Sequence, residues 1–157
     1  MKTLLNTILI SAALFSVATP IAAVAQDAVS LEGEVQVERT VIKNGTTTTF
    51  LEEPASVVPG DRLLFTTIYR HQGAETVEDF VVTNPLPSAI ALAENDGDFL
   101  VSVDNGETFG ALTELSVVDE TSQARAARLG DVTHVRWVLA QLDPGASGSL
   151  SYYATVR

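Results

Sequence analysis

Apolar and polar residues alternate with period two over short stretches of this chain, and Gly, Pro, Asn and Asp punctuate the stretches. That is the pattern of strands in sheets, not of amphipathic helices. In the first stretch Leu31, Val35, Val37 and Val41 share one face, while Glu32, Glu34, Gln36 and Glu38 share the other. A half-buried strand is predicted there. Asn44-Gly45 tolerates positive φ at both central positions of a tight hairpin, so Thr46 to Leu51 is expected to return antiparallel, its four threonines marking an exposed edge. After a turn at Pro59-Gly60-Asp61, Leu63, Phe65, Thr67 and Tyr69 alternate with Leu64, Thr66, Ile68 and Arg70. Apolar residues on both faces suggest a central strand. Beyond Gly73, Val77 to Thr83 is expected beside it. Pro85 and Pro87 cannot donate ladder hydrogen bonds, so they should lift the chain off the sheet and leave Ser88 to Asp98 as a crossing loop.

Leu100 to Val103 and Leu115 to Val118 read as short strands, the first turned by Asn105-Gly106. Residues 119–131 are polar and alanine-rich and read as irregular; a single helical turn over Gln123 to Leu129 is the other option. Val135, Trp137 and Leu139 face inward from a penultimate strand, Asp143-Pro144-Gly145 turns, and Leu150, Tyr152, Ala154 and Val156 line the last. Seven to nine short strands without a long helical segment predict an all-β fold, an immunoglobulin-like antiparallel β-sandwich. A closed meander barrel would need only hairpins, whereas Asn84 to Pro87 reads as a strand switching sheets, so two packed layers are expected.

The N-terminus adds a compartment. Lys2 precedes a broken apolar run from Leu4 to Val17, and Pro20 precedes the small-residue end Ala23-Val24-Ala25. This is the layout of a cleaved secretory leader, 1–25, with the mature chain expected to start at Gln26. The 132 residues left are enough for one core that buries roughly two-thirds of the unfolded surface. They divide into N-terminal strands over 26–57 and a domain over 58–157. No cysteine is present, so disulfides and thiolate metal sites are excluded and burial must hold the domain together. The net charge of −11 repels phosphate backbones and anionic lipid, so nucleic-acid binding is not expected. Nor is stable membrane insertion after cleavage. A periplasmic or secreted product is expected.

The order of landmarks is similar to the immunoglobulin-like repeat of bacterial surface and secreted proteins catalogued as domain of unknown function number eleven. The residues that carry the resemblance are Pro59-Gly60-Asp61, Phe65, Gly73, Asn84-Pro85-Leu86-Pro87, Trp137 and Pro144-Gly145, over Val58 to Arg157. Asn84 stands where the repeat usually has aspartate, and Leu31 to Leu51 lies outside it. The resemblance implies an envelope or adhesion setting. Inside it, Ser102-Val103-Asp104-Asn105-Gly106-Glu107-Thr108-Phe109 is similar to the Asp-box, Ser-x-Asp-x-Gly-x-Thr-Trp/Phe. Asp104 can accept from turn amides, Gly106 supplies positive φ, and Phe109 is expected to anchor the hairpin in the core. Glycosidases carry that box as a structural element on propeller blades. This chain is too short for a propeller, so no sialidase chemistry is expected.

No catalytic constellation stands out. His71 and His134 fall within predicted strands and read as ordinary strand positions, and no Ser sits on a Gly-x-Ser-x-Gly elbow. Asp96, Asp98 and Asp104 are weak calcium candidates: their oxygen atoms suit the ion, but the twelve-residue loop spacing is missing. Trp137 reads as core. Arg125, Arg128 and Arg136 are expected to pair with carboxylates of the same domain rather than with another copy. The function expected is a non-enzymatic structural or protein-interaction module without cofactor, its partner another envelope or secreted protein. The alternatives are a small carbohydrate- or calcium-binding module, and a self-assembling subunit that donates Leu31 to Val41 to a neighbour. A homo-oligomer is compatible with each.

Overall fold

The computed structural model describes residues 28–119 and 122–157; the expected leader, 1–25, lies outside the described residues. The fold is an antiparallel β-sandwich of ten strands. The larger sheet is built from β1 (Val29–Lys43), β2 (Thr46–Glu52), β3 (Arg62–His71), β5 (Ile90–Leu92) and β10 (Ser147–Val156), in the order β2-β1-β3-β10-β5. The smaller contains β4 (Val77–Pro85), β6 (Leu100–Ser102) and β9 (His134–Leu142), in the order β4-β9-β6. A separate two-stranded ribbon pairs β7 (Ser116–Val118) with β8 (Ala124–Ala126).

Turn chemistry sets the connections. Asn44 and Gly45 have φ of 53° and 77°, the primed geometry whose twist matches that of the flanking strands. Pro59-Gly60 and Pro144-Gly145 make turns in which the glycine takes positive φ; the Asp61 amide donates to the Val58 carbonyl at 3.0 Å, and the Ala146 amide to that of Asp143 at 2.9 Å. Pro85 is the last paired residue of β4, opposite His134. There the chain leaves the small sheet, and five residues later Ile90 pairs with Val156 in the large one. The proline crossover is a sheet switch. The stretch expected as a plain crossing loop, Ser88 to Asp98, thus contains β5, because three residues suffice to close the large sheet beside β10. Likewise the stretch expected as irregular, 119–131, carries a short strand and a turn among its described residues. Ser116–Val118 and Ala124–Ala126 pair as a ribbon, and a single 3-10 turn at Leu129–Asp131 follows it.

The core lies between the sheets. Val37, Leu63, Leu92, Tyr152 and Ala154 from one layer meet Val82, Val101, Val135 and Trp137 from the other. Trp137 lies edge-on to Phe99 at 5.5 Å and tilted against Tyr152 at 6.2 Å, and Tyr152 stacks on Phe65 at 5.1 Å. Burial in this cluster pushes the Tyr152 hydroxyl up to about 12.

The first strand departs from its expected half-buried face. Val29 and Val37 are buried, but Leu31, Val35 and Val41 are exposed. The cause is the mismatch of sheet widths. Asn84 of β4 donates to the Thr67 hydroxyl of β3 at 2.7 Å, which places β4 over β3. Three strands cannot roof five, so β1 and β2 project past the edge.

Candidate functional site

Two features stand out from the sandwich body, the hairpin around Asp104 and the arm formed by β1 and β2. In the hairpin, the buried Ser102 hydroxyl donates to the Asp104 carboxylate at 2.6 Å and accepts from the Gly106 amide at 2.9 Å. Asp104 also accepts from the Glu107 amide at 3.2 Å, the Thr108 amide at 3.0 Å and the Thr108 hydroxyl. These donors hold its carboxyl well below the usual carboxylate range. Asn105 and Gly106 supply the positive φ the turn needs.

Phe109 does not enter the core as expected. Its ring lies on the outer face of the small sheet, with the Arg136 guanidinium 3.4 Å from its centroid and His134 edge-on at 6.4 Å. The reason is alternation: Val135 and Trp137 point inward, so His134 and Arg136 point out. Arg136 also donates to the Thr83 hydroxyl at 2.9 Å.

Next to the hairpin is a cleft of about 440 Å³, lined by Pro87, Asn105, Asp131, His134 and Arg157 among others. Its charged groups are held by structure. Arg157 donates to the carbonyls of Ile90 at 2.9 Å and Gly130 at 2.6 Å. Asp131 takes a bidentate pair from Arg125 at 2.7 and 2.8 Å, which holds its carboxyl down at about 2. That pairing lies within the domain, as expected for Arg125. Asp96 and Asp98 are exposed on the loop before β6. Among the described residues, no group of three or more His, Asp or Glu side chains converges as a metal site would require. His71 ends β3 on the inner face, whereas His134 opens β9 on the outer face.

The arm is the larger departure from a closed sandwich. All seven residues of β2 are exposed, and among the described residues its outer edge pairs with nothing. Val41 is 46% exposed, Ile42 72%, Phe50 42% and Leu51 37%. These residues cover both faces of the arm, because Val41 and Phe50 point to the inner side and Ile42 and Leu51 to the outer. Arg39 ties the base of the arm to the body: it donates to Asp61 at 2.8 Å and Glu52 at 3.3 Å. Asp61 in turn accepts from the Val58 amide at 2.9 Å, and these bonds lower its carboxyl below the ordinary value.

The other sheet edges are blunted, and β1 beyond its pairing with β3, from Glu38 to Lys43, carries Glu38, Arg39 and Lys43. On β4 the exposed Glu78 precedes Asp79, which sits at φ 50° and drops out of the ladder opposite Ala140. The edges at β5 and β6 are three residues long, and β6 is further closed by the bridge between Val101 and Gly110. Where β2 stops short, β1 shows Glu32 and Glu34. Charge, distortion and shortness are the usual defences of an edge. From Thr46 to Leu51, β2 has none of them.

Sequence reasoning identified the threonine edge but missed Ile42 and Phe50. The signal was there: apolar residues at consecutive positions, Val41-Ile42 and Phe50-Leu51, cannot both face one core from a strand. No family model, no curated protein and no solved structure matches the chain.

Proposed function

We propose that this chain is an exported, non-enzymatic protein-interaction module of the cell envelope or secretome, and that it takes its partner by strand addition along β2. The observation that carries the reading is the exposed edge of β2, uncharged from Thr46 to Leu51 and with exposed apolar residues on both faces of the arm, in a molecule whose other edges are blunted. An edge strand offers backbone donors and acceptors in a row. An extended partner chain satisfies them, and Phe50 and Leu51 add side-chain contact on either face. The leader-like N-terminus supports export, and the likeness to the bacterial surface repeat is in keeping with an envelope setting and with adhesion. A non-enzymatic role is in keeping with the hairpin: Ser102 is fully buried, and the Asp104 carboxylate its hydroxyl donates to has its proton affinity lowered by its donors, which makes it a poor general base.

Relative to strand donation, addition at β2 fits the geometry better. β1 is paired along its whole length, Val29 to Val37 with β3 on one side and Val37 to Lys43 with β2 on the other, and leaving would break both ladders. The test is a photo-reactive residue at Thr47 or Thr49 in the producing cells, with Thr83 and Val138 on the small sheet as comparison positions. Adducts at the β2 positions, in an extracytoplasmic fraction whose chain begins at Gln26, are expected. Adducts no more frequent at β2 than at the comparison positions would refute the reading.

A further inference from the structure

We infer that the partner of β2 is a second copy of this chain, paired antiparallel through the same strand about a two-fold axis at Thr49. The inference rests on the strand-addition reading and names its occupant. The two-residue turn makes Lys43 and Thr46 a hydrogen-bonded pair, and such pairs recur at every second residue. Thr46, Thr48, Phe50 and Glu52 therefore direct their backbone groups to β1, and Thr47, Thr49 and Leu51 direct theirs to the open edge. A two-fold axis normal to the sheet keeps the same face uppermost in both copies, so it pairs residues of equal parity. One register then uses all seven residues of β2: Thr49 meets Thr49, Thr47 meets Leu51, Thr48 meets Phe50, and Thr46 meets Glu52.

That register is complementary row by row. Across four strands the inner face reads Val41, Thr48, then Phe50 and Arg39 of the second copy; the outer face reads Ile42, Thr47, then Leu51 and Glu38 of the second copy. Each exposed apolar residue of the arm gains an apolar neighbour across one threonine. The row on the axis is Thr40, Thr49, Thr49, Thr40, and it extends the hydroxyl contact already present between Thr40 and Thr49 at 3.3 Å. Charge matches as well. Lys43 lies in one row with Thr46 and the second copy's Glu52, two strands and ~10 Å of backbone apart, a span that lysine and glutamate side chains reach across together. A slip of one pairing step toward the turn would instead set Arg39 and Lys43 in one row, like charge against like. The strongly acidic body, net −11 for the whole chain, stays clear because the arms hold the two sandwiches apart.

The test uses the purified protein, which has no cysteine of its own. Sedimentation from dilute to concentrated solution is expected to show the mass doubling. Thr49→Lys, which sets two ammonium groups against each other on the axis, is expected to return the monomer with an unchanged circular dichroism spectrum. Under mild oxidation Thr49→Cys is expected to cross-link as a dimer, since paired backbones on the axis are within disulfide reach. Thr47→Cys, whose two copies lie four residues apart along the ladder, is expected not to. A monomer at every concentration together with no Thr49→Cys cross-link overturns self-pairing. So does a dimer that survives Thr49→Lys, or one that cross-links equally at Thr47. Photo-adducts at β2 that carry the mass of a different protein would overturn it too while leaving strand addition intact.

Discussion

Asp104 holds the 102–109 hairpin together by accepting from two backbone amides and two hydroxyls. Asp104→Ala leaves those donors without an acceptor, so a lower melting temperature and faster amide exchange at Glu107 and Thr108 are expected, with the sandwich otherwise intact. The carboxyls of Asp61, Asp104 and Asp131 are all depressed in the folded state. Each therefore contributes stability that is present above the unfolded carboxylate pKa and is lost as pH falls through the folded one. For Asp131 that window runs from 3.8 down to about 2, and Asp131→Asn is expected to flatten the acid limb of a stability-against-pH curve there. His71 is the opposite kind of residue. It is 2% exposed and among the described residues neither ring nitrogen has a hydrogen-bond partner. An unsatisfied buried polar group costs about 1–3 kcal/mol, so His71→Leu is expected to raise stability by ~1 kcal/mol in urea unfolding.

Among the elements, those with one solvated and one buried face are the ones the sequence makes legible. Period-two alternation identifies β9 and β10, because each shows one side to the facing sheet along its length, and β3 is legible from a β-branched and aromatic run with apolar residues on both faces. The prolines after Asn84 mark the sheet switch, since a residue without an amide proton ends a ladder. β5 escapes the pattern because three residues carry barely one period, and its burial depends on β10, about 60 positions away in the chain. The ribbon of β7 and β8 is hidden for the same reason. The exposure of Leu31 and Val35 is invisible locally, as it depends on how far the small sheet reaches across the large one. Of the candidate site, the hairpin motif and the threonine edge are legible, whereas the outward placement of Phe109 follows from the register of β9. At this scale the arm is nearly separate from the body. Gly45→Ala, at a φ of 77° that strains any side chain, is expected to cost ~1 kcal/mol. It should speed amide exchange across β2 and leave exchange in β9 and β10 unchanged.

For the whole molecule, the main source of stability is the core. Without disulfides, the aromatic and aliphatic cluster between the sheets carries most of the weight against chain entropy, so large cavities there are poorly tolerated. Trp137→Ala is expected to cost about 3–5 kcal/mol, a large share of the stability of a domain this size, and to abolish the cooperative transition at moderate urea if the wild-type margin is ordinary. The same residue is the only tryptophan in the chain, and it stands in that cluster, between Phe99 and Tyr152, on a strand that does not pair with the projecting hairpin. The protein thus carries a native fluorophore at the one place where the two layers meet. Its emission will register layers coming apart and stay silent when an edge is occupied, so optical melting curves and amide-exchange maps will read two independent properties of one molecule.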